Sequence, residues 1–337
     1  MRILVTGCAG YIGGTFTFEA LKRGFKVIGI DSFIHGKKNN ITFFLENYRE
    51  SFKFIEEDLS DYKAEKLKKE LDSIKIDVAV HCAGLKSVDE SEKEPLLYWK
   101  NNVDSTINLL NILSNSNVRK VIFSSSATVY GDSDIHPILE DFGIEPVSTY
   151  GSTKVAIEQM LKDSSRSKKF DVVSLRYFNP VGSHKEMKVY ESPYSMPNNL
   201  MPRIIRVALK LDQKLQIYGT DYDTRDGTGE RDYIHIDDLV EGHFKAVEYI
   251  KDFKGYEVFN LGTGTSITVK EIISCFEEVN GIKISHEYAD RRPGDIAKCY
   301  ADPSKANNLL GWSAQKNLED MCRDAWKAIK NNLNDAK

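Results

Sequence analysis

Met1-Arg2-Ile3-Leu4-Val5-Thr6-Gly7-Cys8-Ala9-Gly10-Tyr11-Ile12-Gly13 carries the strongest signal for the fold of this chain. The apolar run Ile3–Thr6 predicts a buried strand, and three glycines follow where the chain must turn into a helix. Glycine there permits the tight turn, close approach of a pyrophosphate to the backbone, and close packing of helix on strand. A phosphate would meet backbone N–H groups at the helix N-terminus. The stretch therefore reads as a dinucleotide site cradled by Gly7, Gly10 and Gly13. Asp31 ends a second apolar run, Val27–Ile30, about twenty residues on, where an acid hydrogen-bonds the adenosine ribose. A carboxylate there repels a 2′-phosphate, so NAD is expected over NADP. Lys37 and Lys38 beside it read as a solvated loop.

Beyond the glycine loop, short apolar runs alternate with mixed segments, as in successive βαβ units. Strands are expected at Ile3–Thr6, Val27–Ile30, Phe52–Ile55, Val78–His81, Lys120–Ser124 and Val172–Arg176, and helices at Phe16–Lys22, Lys63–Leu71, Leu96–Leu113 and Val155–Lys162. Val78-Ala79-Val80 and Val121-Ile122-Phe123 are continuously apolar, as parallel strands buried on both faces should be. After Pro180 the alternation stops. Pro193, Pro197 and Pro202 follow, and a run of Asp, Gly and Thr spans Gly219 to Gly229. The expectation is an α/β protein: a Rossmann-type, doubly wound parallel sheet with a smaller α/β C-terminal lobe for substrate. Residues 1–180 would form the first domain and 181–337 the second, the chain returning to the first around 234–262.

At 337 residues, 41% hydrophobic and 28% charged, the composition is that of an ordinary globular protein with a full core. A net charge of -4 gives no electrostatic reason to expect nucleic acid as partner. The basic runs Lys66–Lys69 and Arg166–Lys169 read as solvated helix ends. Cys8, Cys82, Cys275, Cys299 and Cys322 are odd in number and scattered, which argues against a disulfide framework or zinc site and for a reducing compartment. No apolar leader precedes the glycine loop and no stretch has transmembrane length, so a cytoplasmic protein without a membrane partner is expected.

Tyr150 and Lys154 stand in Ser148-Thr149-Tyr150-Gly151-Ser152-Thr153-Lys154, four apart on one helix face. An ammonium beside a phenol favours the phenolate, lowering the tyrosine pKa and creating a base for neutral pH.

With Ser124-Ser125-Ser126-Ala127-Thr128-Val129-Tyr130-Gly131, these features identify a resemblance to the extended short-chain dehydrogenase/reductase family. Within it the chain resembles the UDP-glucose (UDP-galactose) 4-epimerases. His81–Lys86, Leu175–Gly182, Pro197–Pro202 and Asp226–His235 carry the likeness along the whole chain. The resemblance implies Tyr150 as base, Lys154 holding the nicotinamide ribose, and Ser126 passing the proton of the sugar hydroxyl. It implies that Tyr11, Ile12, Ser32, Phe33, Asp58, Leu59, Cys82, Ala83, Lys86, Asn101 and Phe178 line the cofactor. A UDP-sugar would be held by Asn179, Asn199, Leu200, Gln216, Ile217, Tyr218, Arg231, Arg292, Asp295 and Cys299. Two arginines suit a pyrophosphate, and a carboxylate suits ribose hydroxyls.

Related dehydratases carry an Asp-Glu pair where Ala127-Thr128 stand here, because loss of water needs a further acid/base. An epimerase needs only one proton and one hydride returned. Cys299 replaces the tyrosine of relatives that act only on plain hexoses, freeing room for an acetamido group. Turnover of both UDP-glucose/galactose and their N-acetyl counterparts is expected; the alternative is a small buried cysteine without consequence. The stretch Lys185–Ser195 departs from the family pattern and leads into Asn198-Asn199.

His81 and His235 read as satisfied core histidines, Asp237-Asp238 as an N-cap for a helix from Leu239, and Asp221, Asp223 and Asp226 as turn formers. No metal is called for. Two other functions stay open: an NAD-binding scaffold without catalysis, and a net oxidoreductase acting on a nucleotide sugar. The resemblance also implies a homodimer packed through Leu96–Leu113 and Val155–Lys162.

Overall fold

The computed structural model describes residues 1–61, 65–71, 74–116, 118–186, 189–192, 199–292 and 294–332. They form two compact units. One comprises Met1–Val129, Ser148–Arg176 and Val240–Phe259, the other Tyr130–Val147, Tyr177–Leu239 and Asn260–Lys337.

Strands β1 (Arg2–Thr6), β2 (Lys26–Asp31), β3 (Phe52–Glu56), β4 (Val78–His81), β5 (Lys120–Ser126) and β6 (Asp171–Tyr177) fall where apolar runs predict them. Between them run α1 (Tyr11–Lys22), α2 (Lys38–Asn47), α3 (Glu65–Leu71), α4 (Val88–Lys93), α5 (Pro95–Tyr98), α6 (Ser105–Ser114) and α7 (Thr149–Arg166). Then come β7 (Asn179–Val181), α8 (Leu200–Ala208), β8 (Leu215–Tyr218), β9 (Glu230–His235), α9 (Ile236–Tyr249) and β10 (Tyr256–Leu261). The chain ends with β11 (Ser266–Thr268), α10 (Val269–Asn280), β12 (His286–Ala289), β13 (Lys298–Cys299), α11 (Ser304–Leu310) and α12 (Leu318–Asn331).

The main sheet has seven strands in the order β10-β6-β5-β4-β1-β2-β3, and the pairings from β3 through β2, β1 and β4 to β5 are parallel. Thr6 lies opposite Ile30 on one side and His81 on the other. The carboxyl ends of β1, β2 and β4 are therefore level, at the point where strand order reverses. Open α/β sheets bind their ligands there.

Side chains alternate between the sheet's faces. Leu4, Ile28, Ile30, Ala79, Phe123 and Val172 pack with Leu109 and Leu113 of α6 and Ile157 and Leu161 of α7. Ile3, Val5 and Val27 are equally buried on the alternate face. Among the helices α1 and α9, Phe16 stacks on Phe244 at 4.6 Å between ring centroids. Each such side chain taken out of water contributes about 1.5–3 kcal/mol.

In the second unit β9 is flanked by β11 and β13, with β7 pairing β9 in parallel, while β12 and β8 form a separate parallel pair. Met201, Ile204 and Ile205 of α8 pack with Ile272 and Phe276 of α10 and Cys322 and Ile329 of α12.

Four expectations need correction. The division differs in detail from 1–180 and 181–337 with a return around 234–262: the chain leaves the first unit at Arg176 and rejoins it over Val240–Phe259, and Tyr130–Val147 belongs to the second. Ile138 is the reason, since its N–H donates to the Tyr300 carbonyl and its own carbonyl accepts from Asp302 and from the Asn260 amide. Lys38 opens a helix, α2, instead of lying in a loop. Leu96–Leu113 is helical along its length but not uniformly α-helical: α5 passes into a wide π-helical turn at Trp99–Asp104 before α6. Asp237 and Asp238 lie inside the first turn of α9 instead of capping it. Residues 63–64 of the expected Lys63–Leu71 helix lie outside the described residues, as do 187–188 and 193–198, which take in part of the departing Lys185–Ser195 stretch and Asn198 after it.

Candidate active site

Gly7 has a positive φ of 69°, and a Cβ there would stand 2.9 Å from the Ala83 nitrogen. At Gly13 a Cβ would stand 2.3 Å from the Gly7 carbonyl oxygen. Both glycines are thus required by close backbone approach. Gly10 precedes α1 without any side-chain cap, so the first-turn amides of Tyr11, Ile12 and Gly13 are oriented along the helix axis toward the loop.

Asp31 organises the rim of this loop. Its carboxylate accepts the Ala9 N–H at 2.9 Å and the Phe33 N–H at 2.8 Å. The Ala9 carbonyl in turn accepts from Lys37 N–H and from Asn40. Burial pushes the Asp31 carboxyl up, while these amides pull it back. Phe33 holds a φ of 60°, unusual for a non-glycine, with its ring 5.3 Å from Phe54 and half-buried beside Ser32. Asp58 is exposed in a local turn that accepts the Ser60 N–H, and buried Leu59 offers its carbonyl to Asn108. Cys82 and Ala83 follow β4, where the Ala83 N–H donates to the Thr6 hydroxyl. Lys86 is exposed with its ammonium 5.9 Å from the Tyr11 ring centroid. Asn101 is half-buried in the wide turn.

Tyr150 and Lys154 lie on α7, which starts six residues earlier than expected because the Ser148 hydroxyl caps it, accepting the Gly151 N–H at 3.1 Å. The Ser91 hydroxyl accepts the Tyr150 N–H, and the Tyr150 ring meets Tyr98 edge-on at 6.5 Å. Lys154 donates to the Ser124 carbonyl at 2.9 Å and sits 4.7 Å from the Phe123 ring and 5.7 Å from the Tyr150 ring. At the end of β5, the Ser126 oxygen accepts from the Thr128 N–H at 3.2 Å and the Thr128 hydroxyl at 3.0 Å. With its oxygen so held, the Ser126 hydroxyl proton is directed elsewhere.

The electrostatics depart from expectation. Lys154 does not pull the Tyr150 phenol down. Burial pushes Tyr150 up to about 12, opposed by its hydrogen bond with Ser126. The same burial lowers Lys154 to about 8, so the two groups lose solvation together. Desolvation is the dominant cause of both shifts.

Reading by residue type passed over Asn102. Its side chain accepts the Leu85 N–H at 2.7 Å and donates to the Leu85 carbonyl and the Thr153 hydroxyl. It clamps the loop after β4 to α7 beside Lys154. Complete burial of an asparagine next to Asn101 is a tertiary fact without a local signal.

The candidates in the second unit divide into two groups. Arg231 lies on β9 opposite Cys299 of β13, and its guanidinium donates to the carbonyls of Glu230 and Ala297. Cys299 is buried, and burial pushes its thiol up to about 12. Asn179, at the start of β7, donates to the Asp232 carbonyl on the neighbouring strand. Phe178 beside it is buried. The other group is built on β8: Tyr218 donates to Gln216 at 2.7 Å, Ile217 is buried, and Arg292 lies 4.7 Å from the Tyr218 ring. Arg292 pairs with Asp295 at 2.8 Å. Asn199 is exposed and donates to Glu191, and Leu200 opens α8.

His81 is satisfied on both ring nitrogens, by Thr6 at 2.7 Å and Thr106 at 2.9 Å. His235 is not: Nδ1 accepts the Asp237 N–H, but Nε2 has no hydrogen bond and stands 3.4 Å from an Asp324 oxygen. Asp221 pairs with Arg291, and Asp226 accepts from Thr228 and Thr268, so both serve their loop. No group of three or more metal-ligating side chains occurs among the described residues, and none of their helices is long and apolar enough to cross a membrane.

Residues 3–262 match the model of the NAD dependent epimerase/dehydratase family. The chain belongs to that family. It is accordingly an NAD-dependent enzyme. It is 43% identical to the UDP-glucose 4-epimerase of Bacillus subtilis, covering 100% of this chain and 99% of that one. Its fold is similar to the UDP-glucose 4-epimerase of Stenotrophomonas maltophila with bound NAD and formylated UDP-arabinopyranose (TM-score 0.95, 38% identity, all of both chains covered). It is also similar to that of Bifidobacterium longum in complex with NAD+ and UDP (TM-score 0.93, 39% identity, 99% of each chain covered).

Proposed function

We propose that this chain is a 4-epimerase of UDP-hexoses, interconverting UDP-glucose and UDP-galactose, and that it also turns over the corresponding N-acetylhexosamine nucleotides. The observation that carries the reading is the buried assembly of Tyr150, Lys154 and Ser126 at the carboxyl end of the parallel sheet. The cradle of Gly7, Gly10 and Gly13 with Asp31 suits NAD: it offers close backbone approach, oriented amides and a ribose acceptor. Tyr11, Ile12, Ser32, Phe33, Asp58, Leu59, Cys82, Ala83, Lys86, Asn101 and Phe178 are its proposed further contacts. NAD supplies the acceptor and donor of the hydride at sugar C4, and with it a positive charge.

The rest is done by this chain's side chains. Tyr150 takes the 4-hydroxyl proton and gives it back, and Ser126 directs its own hydroxyl proton to the oxygen that becomes anionic. Lys154, fixed on the Ser124 carbonyl, places a cation within the same buried volume and favours the ionised phenol once the site is charged. Arg231 and Arg292 neutralise the pyrophosphate, Asp295 meets ribose hydroxyls, and Asn179, Asn199, Leu200 and the strand Gln216-Ile217-Tyr218 hold the uridine. Ala127 and Thr128 carry no carboxyl group, so no additional acid is at hand to expel water.

Cys299 supports the wider sugar range: it is a buried side chain opposite Arg231, much smaller than the tyrosine of relatives that act only on plain hexoses. The exposed apolar side chains Leu96, Leu97, Trp99 and Ile107 support a homodimer packed through this helical segment. Five free cysteines are in keeping with a cytoplasmic enzyme.

Proton NMR of purified protein with UDP-glucose and, separately, UDP-N-acetylglucosamine tests the proposal. Appearance of the C4 epimer of each is expected. Steady accumulation of NADH with a sugar-derived ketone or acid would overturn it in favour of net oxidation.

A further inference from the structure

A buried carboxylate that the proposed chemistry leaves unused lies one helical turn beyond Lys154. Glu158 is 6% exposed and follows Tyr150 and Lys154 on the same face of α7. Its Oε1 accepts the Ser125 hydroxyl at 2.5 Å and Arg176 Nε at 2.9 Å, and its Oε2 accepts Arg176 Nη2 at 2.6 Å. Arg176, on β6, is itself 5% exposed. Ser125 stands between Ser124, whose carbonyl holds Lys154, and Ser126. One carboxylate therefore ties the helix carrying the tyrosine and lysine to two neighbouring strands, directly beside the serine of the reaction.

We infer that Glu158 is a positioning residue for the Tyr150–Lys154 pair: braced by Arg176, it fixes α7 against β5 and keeps the Lys154 ammonium charged. This rests on the epimerase reading of the same site. Burial works to discharge Lys154, while Cys82 and Glu158 work to keep it protonated. The other groups facing the two residues are Tyr150 on α7, His81 on β4 and Tyr256 on β10, whose phenol is raised by burial and by Glu158. Of these only Glu158 is a carboxylate. A bidentate arginine leaves it geometrically fixed, so its field acts on Lys154 in one direction.

A purely structural brace would alter stability and leave the titration of Lys154 where it is. The test is pulse acylation of Lys154 with acetic anhydride across pH on the full-length protein, read by peptide mass spectrometry. Glu158→Gln keeps the shape and removes the charge. The labelling midpoint is expected to move to lower pH by about one unit. The alkaline limb of turnover should move with it. Where Glu158→Gln does not fold, the double variant Glu158→Gln/Arg176→Met strands no charge in the interior; because it also removes the opposing Arg176 cation, its midpoint is expected to move the same way but by less. An unchanged labelling midpoint in either folded variant overturns the inference, whatever happens to turnover. A shifted midpoint upholds it even if the wild type proves inactive on UDP-hexoses, an outcome that would overturn the epimerase reading alone.

Discussion

In the first unit, Tyr150 and Lys154 are 7% and 4% exposed, and the buried Ser91 hydroxyl and the Ser124 carbonyl hold them. In the second, Arg292 is half-exposed and held by Asp295 three residues away, and Asn199 is exposed and held by Glu191. One region is assembled and dry; the other is held by local, water-accessible pairs. The contrast matches two tasks. Proton transfer needs groups pre-positioned in low dielectric, where a small displacement costs much of the rate. Holding a charged nucleotide needs arginines that can exchange an intramolecular carboxylate for a phosphate without a large desolvation cost.

The largest effect should come from Tyr150→Phe, which removes the base and leaves the buried ring in place. Turnover is expected to fall by roughly 10³-fold or more with NAD still retained, as judged by kcat and by cofactor released on denaturation. Near-normal kcat would break the assignment of chemistry to the first unit. Next is Arg292→Met, which should raise KM for UDP-sugars about 10- to 100-fold with kcat little changed, the worth of one charged hydrogen bond. A loss confined to kcat would erase the proposed division of labour. Cys299→Tyr should cut N-acetylhexosamine turnover about tenfold or more and leave UDP-glucose within a few-fold. Equal losses on both sugars would show that the cysteine sets packing, not specificity.

A separate prediction concerns the stability of the fold, not turnover, and rests on the buried His81. Burial lowers His81 to about 3 from 6.5, so its stabilising contribution is fully present above 6.5 and is lost as pH falls through 3. The total is about 4–5 kcal/mol by linkage. Thermal melts of wild type and His81→Asn from pH 7 to 3 should show the wild type losing the larger share of its stability. Parallel acid slopes would mean that this threonine-satisfied histidine does not govern acid unfolding.

Much of the first unit was legible from local pattern. Its strands are parallel and buried on both faces, so they appear as uninterrupted apolar runs, and six were placed to within two residues. Glycines at Gly7 and Gly13 are legible because nothing larger fits the backbone there. The second unit was harder, because β7, β11 and β13 are only three, three and two residues long and pair across large sequence separations. The membership of Tyr130–Val147 is not legible in sequence, because it rests on Ile138, Asn260 and Tyr300, which no local periodicity connects. Asn102 and the Glu158–Arg176 pair are illegible for the same reason: polar side chains signal burial only through partners supplied by other elements.

By itself, then, the amino-acid order determined what kinds of group are present: the alternation that builds the sheet, the glycines that admit a pyrophosphate, and a tyrosine and a lysine on one helix face. Those are properties of spacing within a few turns or one strand, where sterics alone decide. Tertiary structure decided the state of those groups. Burial, which depends on everything packed around α7, raised the tyrosine where neighbouring charge alone would have lowered it. The cation is held in place by a carbonyl thirty residues away on a neighbouring strand. Solvation is a sum over the whole fold, and no stretch of sequence contains it.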